Sequence, residues 1–456
     1  MHADVIVIGS GQAGVPLATR LAEAGKRVLL AEAGDLGGTC VNTGCTPTKT
    51  MIASARAAHV ARHGARLGVR AGEVTVDLAA VVDRKDAIVR QWRESVRKRI
   101  DRAGERLTLV RGRARFVGPR EVEVRDERHS ADVVVLNVGC RPAMPPVPGL
   151  AGTPSLDNAS VMELRQLPSR LVVLGGGYIG CEFAQMFRRF GSEVTVVEAL
   201  ERLLGMEDAE TSAALEGVFA SEGIRVEAGA RARSVTRADG GVVMHLEDGR
   251  DVRGSHLLVA VGRRPNTDDL GCDAAGVALD ARGFVAVDDR YLTSADGVYA
   301  VGDVTPGPQF THASWDDHRR LYDVLMGRGA RGRADRLVPI TAFTDPQVAR
   351  VGLTEQEARA KGLEPEVATM PFGQIARAVE VDETAGTMKV LIDPKSERIL
   401  GAAIVGAEAG ELIHVFVALM QAGATARALV DAECVHPTFA EGLQTLVMKL
   451  SRYALA

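Results

Sequence analysis

The chain has 456 residues, 46% of them hydrophobic and 25% charged, which excludes a disordered, collagenous or coiled-coil protein and exceeds the ~50–250 residues that one core usually holds. A net charge of −4, from 55 basic and 59 acidic side chains, gives no reason to expect a nucleic-acid or anionic-membrane partner. Glycine is abundant, 49 residues against 18 prolines, and aromatics are only 4%, the pattern of an α/β enzyme with tight strand-to-helix turns and an aliphatic core.

At the N-terminus Val5-Ile6-Val7-Ile8 has the length of a buried strand, and Asp4 precedes it without a basic region, so it does not read as a secretion signal. Gly9-Ser10-Gly11-Gln12-Ala13-Gly14 follows, then a helical stretch to about Gly25 and a strand that ends at Glu32. The pattern returns downstream. Leu171 to Leu174 leads into Gly175-Gly176-Gly177-Tyr178-Ile179-Gly180, a helix to about Gly191, and a strand ending at Glu198. In both copies the acid stands 23 positions after the first glycine. The glycines admit a pyrophosphate to the backbone, the helix start offers N–H groups, and the acid binds ribose hydroxyls. Two such βαβ units predict two dinucleotides, and hydride transfer between them is the simplest use for both. Glu198 suits a ribose with a free 2′-hydroxyl, which favours NADH over NADPH, although Arg202 is near enough in sequence to blur that preference.

Between the two units, Asp83 to Arg106 is densely charged, with Ile88, Trp92, Val96 and Ile100 every four residues, which predicts an amphipathic helix with a solvated basic face. Val133 to Leu136 reads as a strand, followed by Gly139 and a proline-rich bend from Pro142 to Pro148. Leu257 to Val261 is a matching strand before Gly262, and Tyr299 to Asp303 is a further strand end. Beyond Arg336, β-like runs such as Thr387 to Ile392 and helices from Glu411 onward predict an α+β domain. No apolar run reaches the ~18–20 residues of a membrane span. Leu412 to Met420 comes nearest, and it suits a subunit interface or burial in its own domain equally well.

Six cysteines are too few for a disulfide scaffold, and the expected compartment is the cytoplasm. Cys40 and Cys45 are close together, in Gly-Gly-Thr-Cys-Val-Asn-Thr-Gly-Cys-Thr-Pro-Thr-Lys from Gly37 to Lys49. Five residues of regular helix rise ~7.5 Å, more than the ~4.4–6.8 Å between disulfide Cα atoms, so the pair can close only if Asn42-Thr43-Gly44 leaves the helix. Pro47 fits the first turn of a following helix, whose N–H groups would favour a reactive thiolate. The alternatives are metal ligation, for which no further ligands stand nearby, or two structural thiols.

These motifs, with His436-Pro437-Thr438 and Glu441 near the C-terminus, resemble the flavoprotein disulfide reductases of the dihydrolipoamide dehydrogenase and glutathione reductase type, over essentially the whole chain. The resemblance implies an α/β protein with two Rossmann-like domains and a C-terminal α+β dimerisation domain. FAD would occupy residues 1–148 and 271–336, the nicotinamide cofactor residues 149–270, and the subunit interface residues 337–456. FAD would be held by Gly9, Gly11, Gly14 and Glu32, with Asp303 on the ribityl chain; NADH, or NADPH in its place, by Gly175, Gly177, Gly180 and Glu198, with Tyr178 as gate. Thr39, Lys49, Gly139, Thr311 and Gly262 would complete the cofactor sites. Cys45 would face the flavin as charge-transfer thiol and Cys40 would attack substrate. Lys49 would lie near flavin N5 and pair with Glu182. His436, oriented by Glu441, would be the acid–base group for Cys40 of the other subunit, which makes an obligate homodimer with shared sites acting on a small oxidised substrate.

Thr46-Pro47-Thr48-Lys49-Thr50, Gln309-Phe310-Thr311-His312 with Asp316-Asp317, and Phe343-Thr344-Asp345-Pro346-Gln347 resemble the mercuric-reductase-like branch, which also holds reducers of copper ions and of hypothiocyanous acid. Against mercury itself stand His436, where that group typically has tyrosine, and the ending Ser-Arg-Tyr-Ala-Leu-Ala, which has no cysteine pair. Cys434 reads as a buried small hydrophobe or as a third thiol near Cys40 of the other subunit. The other classes weighed are an NADH oxidase and a non-catalytic redox sensor that binds both cofactors; the presence of Cys40, Cys45 and His436 together argues against a pure binder.

Overall fold

The computed structural model describes residues 2–238, 240–329 and 332–453; the last three residues of the C-terminal hexapeptide lie outside the described residues. The chain divides into two compact units.

The first unit comprises Met1–Thr50, Val82–Ala143 and Gly262–Arg336. Its sheet runs Leu107–Arg111, Val28–Glu32, His2–Ile8, Glu127–Leu136, Glu121–Val124, Ala114–Gly118, with Val298–Ala300 also pairing with Glu127–Leu136. The first four strands and Val298–Ala300 are parallel, and Val5 lies opposite Val28 on one side and Val133 on the other. Such strands are covered on both faces, which is why they read as unbroken aliphatic runs. Alternate side chains feed two cores: Ile6, Ile8, Leu29, Val134 and Leu136 on one face, Val5, Val7, Leu30 and Val135 on the other. Helix Gly14–Glu23 adds Leu17, Ala18 and Leu21 to the second.

The charged segment is helical over Leu78–Arg102, but its buried stripe differs from the four-residue repeat in the sequence. Leu78, Val82, Lys85, Val89 and Ile100 are buried, whereas Trp92 is 52% exposed. A strict four-residue spacing drifts around a helix of 3.6 residues per turn, so the repeat cannot hold one face.

The second unit comprises Met51–Val81, Met144–Val261 and Leu337–Ala456. It holds a parallel sheet, Arg225–Glu227, Glu193–Val197, Arg170–Leu174, His256–Val259, and an antiparallel three-stranded sheet from Ala232–Ala238, Gly241–Leu246 and Asp251–Gly254. It also holds an antiparallel five-stranded sheet, Ile340–Ala342, Gln347–Gly352, Ile399–Gly406, Thr387–Ile392, Glu366–Pro371. Helix Ala409–Gln421 packs on this last sheet through Leu412, Ile413 and Phe416, so much of the apolar run at 412–420 is buried within its own unit. Among the described residues no helix is long and apolar enough to cross a membrane.

Candidate active site

The first glycine turn joins strand His2–Ile8 to helix Gly14–Glu23. Gly9 adopts φ +104°, and a Cβ on it would lie 2.3 Å from the carbonyl oxygen of Asn137; a Cβ on Gly14 would lie 2.0 Å from that of Gly9. Glu32 fastens the turn. Its Oε2 accepts the N–H of Ser10 at 2.8 Å and the Ser10 hydroxyl at 2.6 Å, and its Oε1 accepts the N–H of Gly34 at 2.7 Å. Asn137, which the sequence reading passed over, accepts the N–H of Gly14 at 2.8 Å and donates to the carbonyl of Val301 at 3.1 Å. Its only signal in the sequence is an amide directly after a buried apolar strand.

The cysteine segment lies against this turn. The N–H of Gly37 donates to Ser10 Oγ at 3.2 Å, and a Cβ on Gly38 would come within 2.8 Å of the Gly11 Cα. Cys40 is on the short helix Gly38–Asn42 and Cys45 opens helix Cys45–His63. The chain leaves the helix between them, at Thr43 with φ −141° and ψ 13°. Asn42 secures that break: its Nδ2 donates to the carbonyls of Leu36 at 3.1 Å and Gly38 at 2.9 Å. Cys45 is exposed and Cys40 partly buried. A hydrogen bond to Cys45, then burial, raises the Cys40 thiol far above its usual range, while Thr311 and the charge of Lys49 pull it down. Thr311, first residue of helix Thr311–Leu325, approaches Cys45 Sγ at 3.1 Å. Cys40, Cys45, Lys49 and Thr311 thus stand in one cluster. Burial raises Cys140 to about 12 and Cys272 to about 11 as well, with no second thiol beside either among the described residues.

Asp303 lies in the turn Gly302–Val304. Burial raises its carboxyl above the usual range, and Arg263 opposes this from 3.5 Å. Ser314 Oγ, at 3.3 Å, is its other close polar neighbour. A half-buried acceptor with contacts this long suits the hydroxyls of a polyol chain. Gly139 and Gly262 have φ +64° and +132°, with no atom within 4 Å of a Cβ placed on either, so they leave open space as well as permitting the turn.

In the second unit the turn between Arg170–Leu174 and Tyr178–Phe190 repeats the same bonds. Glu198 Oε2 accepts the N–H of Gly176 at 2.6 Å and Oε1 that of Leu200 at 2.7 Å. A Cβ on Gly180 would lie 1.9 Å from the Gly175 carbonyl oxygen, whereas one on Gly177 meets nothing within 4 Å, and Gly177 has an ordinary φ of −75°. Neither conformation nor space within the chain demands glycine at 177. Arg202 donates to the carbonyl of Glu207 at 3.4 Å, and its Nε is buried without a partner.

Glu182 is buried on helix Tyr178–Phe190 and accepts the N–H of Phe343 at 2.8 Å. Asp345, part of the motif that marked the mercuric-reductase-like branch, is engaged in a buried ionic cluster: Arg189 and Arg56 bind it, and Arg189 Nη2 reaches Glu222 at 2.6 Å. Burial alone would raise Asp345, but the two guanidiniums hold it below the usual carboxylate range. His436 is exposed, its Nδ1 2.9 Å from Glu441 Oε2, and Glu441 is itself fixed by a reciprocal pair of bonds with Thr438 at 3.3 and 3.2 Å. Cys434, two residues before, is half-buried. Among the described residues no group of acids, cysteines and histidines is arranged to hold a metal ion.

Residues 3–317 match the family profile of the pyridine nucleotide-disulphide oxidoreductases, and residues 338–447 match that family's dimerisation domain. The chain is 35% identical to a probable pyridine nucleotide-disulfide oxidoreductase, RclA, of Escherichia coli, over 97% of this chain and 98% of the relative. It is 33% identical to a mercuric reductase of Staphylococcus aureus over 98% of this chain and 82% of the relative, and 36% identical to a dihydrolipoyl dehydrogenase of Thermus scotoductus over 99% and 98%. The crystal structure of the Cu(II) complex of the HOCl-induced flavoprotein disulfide reductase RclA from Escherichia coli superposes with a TM-score of 0.90 at 34% identity, over 98% of this chain and 99% of that one. With these matches and two dinucleotide turns, the chain belongs to the pyridine nucleotide-disulphide oxidoreductases, as an enzyme that uses FAD and NAD(P)H and a disulfide redox centre.

Proposed function

We propose that this enzyme takes electrons from NADH and passes them to a small thiol-reactive oxidant, a disulfide or a soft metal ion through Cys40 and Cys45. The observation that carries this reading is the cluster of both cysteines, Lys49 and Thr311 packed against the first glycine turn. FAD fits that turn: Gly9, Gly11, Gly14 and Glu32 would take its pyrophosphate and adenosine ribose, Thr39 and Gly139 would border it, and Asp303 would take the ribityl hydroxyls. Gly175, Gly177, Gly180 and Glu198 would hold NADH, with Gly262 beside it. Bound together, the cofactors supply a hydride and then an electron pair for the Cys40–Cys45 disulfide.

The remaining steps belong to side chains. Cys45 Sγ accepts the electron pair as the disulfide opens, and Lys49 supplies positive charge. Cys40 Sγ attacks the oxidised substrate; its leaving group departs with the bonding pair and takes a proton from His436, whose ring Glu441 orients through Nδ1. Cys45 then attacks Cys40, expels the second reduced fragment and re-forms the disulfide. His436 acts on Cys40 of the other subunit, so the working unit is a homodimer, and the compartment is the cytoplasm. Similarity to RclA, in its Cu(II) complex, and to mercuric reductase supports a soft metal ion as acceptor, and equal similarity to dihydrolipoyl dehydrogenases supports a disulfide.

The test is NADH consumption by the yellow holoenzyme with lipoamide, glutathione disulfide, Hg²⁺, Cu²⁺ and hypothiocyanous acid in turn. Cys40→Ser should abolish turnover with the preferred acceptor. Consumption of NADH with oxygen alone, unaffected by Cys40→Ser, would replace this reading with a simple oxidase.

A further inference from the structure

Helix Thr311–Leu325 carries three polar side chains at three-residue spacing, Thr311, Ser314 and Asp317. Residues so spaced are neighbours on one side of a helix. Thr311 approaches Cys45, Ser314 approaches Asp303, and Asp317 Oδ2 accepts the N–H of Gly302 at 2.8 Å. The last contact completes the fixing of a peptide group. Asn137 Nδ2 donates to the carbonyl of Val301 at 3.1 Å, so the Val301–Gly302 peptide is held at its oxygen by Asn137 and at its nitrogen by Asp317. The next carbonyl, that of Gly302, accepts the Thr305 hydroxyl at 2.9 Å and the Thr305 N–H at 3.0 Å. Both peptide groups that lead into Asp303 are therefore held. Gly302 has φ +72°, and a Cβ on it would come 2.9 Å from both Asn137 Nδ2 and Ser314 Oγ, so the turn leaves no room for a side chain. Asp317 is 1% exposed, and its charge is met by Arg336, which also donates to the carbonyl of Ala313 at 3.2 Å. A buried carboxylate so paired is costly to displace, because movement would leave an uncompensated charge.

We propose that Asp317, charge-balanced by Arg336, is a positioning residue that sets the Gly302–Asp303 turn for the flavin's polyol chain and, through the same helix, sets Thr311 against Cys45. This rests on the reading of Asp303 as the acceptor of the ribityl hydroxyls. Asp317 acts through a backbone N–H and a guanidinium and needs no contact with the cofactor. Its effect is preorganisation: a turn already in its bound shape binds more tightly than one the ligand must order. Loss of a charged acceptor from that turn corresponds to about a tenfold loss of affinity.

The experiment compares two doubly substituted enzymes, both without the Arg336 charge, so that neither buries a lone guanidinium. Asp317→Asn with Arg336→Met keeps an oxygen for the Gly302 N–H, and Asp317→Leu with Arg336→Met removes it. FAD dissociation is followed by flavin fluorescence and apoprotein stability by the midpoint of thermal unfolding. The long-wavelength band of Cys45 against flavin is followed by absorbance, at full FAD occupancy after one equivalent of NADH. The first enzyme should bind FAD within about twofold of the parent and keep the band; the second should bind FAD about tenfold more weakly and show a weaker band, with equal apoprotein midpoints. Equal FAD affinity in the two overturns the proposal. So does a loss of apoprotein stability confined to the second, which would make Asp317 a structural residue alone, and an unchanged band in the second overturns the reach to Cys45. Asp303→Ala tests the underlying reading. Parent-like FAD binding there would remove Asp303 from the ribityl chain, whereas weakened binding there, beside equal affinity in the two double variants, would remove Asp317 alone.

Discussion

The two glycine turns share a frame and differ in what covers them. In each, the last glycine abuts the carbonyl of the first, at 2.0 and 1.9 Å for an added Cβ, and the acid at the strand end accepts the N–H after the first glycine, at 2.8 and 2.6 Å. In each, the same acid also accepts the N–H two residues beyond itself, at 2.7 Å. The frame is thus a property of the βαβ unit and says nothing of which nucleotide stays. The middle glycine differs between the two. Gly11 is walled in by the Asn137 side chain, whose Oδ1 would lie 2.9 Å from a Cβ, and by Gly38 of the cysteine segment; Gly177 faces open space. A turn closed over by chain fits a resident cofactor such as FAD, and an open one fits a cofactor that binds, reacts and leaves.

The sharpest break is in the segment that closes the first turn. Cys40→Ser and Cys45→Ser should each abolish acceptor reduction, and Cys40→Ser should show a long-wavelength flavin band without reductant, from Cys45 against the flavin; absence of the band near neutral pH would reverse the two thiol roles. His436→Ala should cost ~10²–10⁴ in turnover. Because hydrogen bonding and burial raise the Cys40 thiol far above its usual range, it holds its proton up to about pH 9 and beyond unless a base takes it. The residual rate of His436→Ala should therefore stay low and flat from about pH 6 to about pH 9; a climb in that range would show that Cys40 ionises there without the histidine. Refolding Cys40→Ser with His436→Ala should restore up to about a quarter of activity, since half the dimers are hybrids with one intact site of two. Hybrids shown to form without recovery would place a complete site in each chain.

The two turns can then be broken separately. Gly14→Ala drives a Cβ to 2.0 Å from a backbone oxygen and should cost about 3 kcal/mol, with a lowered Tm and loss of FAD absorbance. Gly177→Ala meets no atom, so its Tm should stay within about 0.5 kcal/mol of the parent while NADH affinity falls about tenfold. Equal damage to folding at both positions would dissolve the distinction. The smallest effect is cofactor choice: with Glu198 fastening the turn, NADH should exceed NADPH in kcat/KM, and the reverse would direct attention to the unpartnered Nε of Arg202.

Much of this was legible in the sequence because it is local. The strand–turn–helix repeats and the helix break at Asn42-Thr43-Gly44 follow from local spacing, and the His436–Glu441 pair is what the family resemblance implies. What the sequence hid is nonlocal. Asn137 closes the first turn from 123 positions away, and Glu207 meets Arg350 from 143. Neither leaves a periodic trace, because a single polar side chain at a strand end or in a loop looks solvated until its partner is known. The stripe on Leu78–Arg102 failed for a different reason: Trp92 fell on a four-residue repeat, and apolar character did not reveal that the buried face follows 3.6 residues per turn and includes Lys85.

The central claim is that electrons from NADH arrive at Cys40 and Cys45. The direct measurement is anaerobic alkylation of the oxidised holoenzyme before and after one equivalent of NADH, with each labelled cysteine located by mass spectrometry. The account predicts that Cys40 and Cys45 are protected as a disulfide before reduction and that both are labelled after it, with Cys140, Cys181 and Cys272 unlabelled throughout. Labelling of Cys40 and Cys45 that is the same with and without NADH would contradict it.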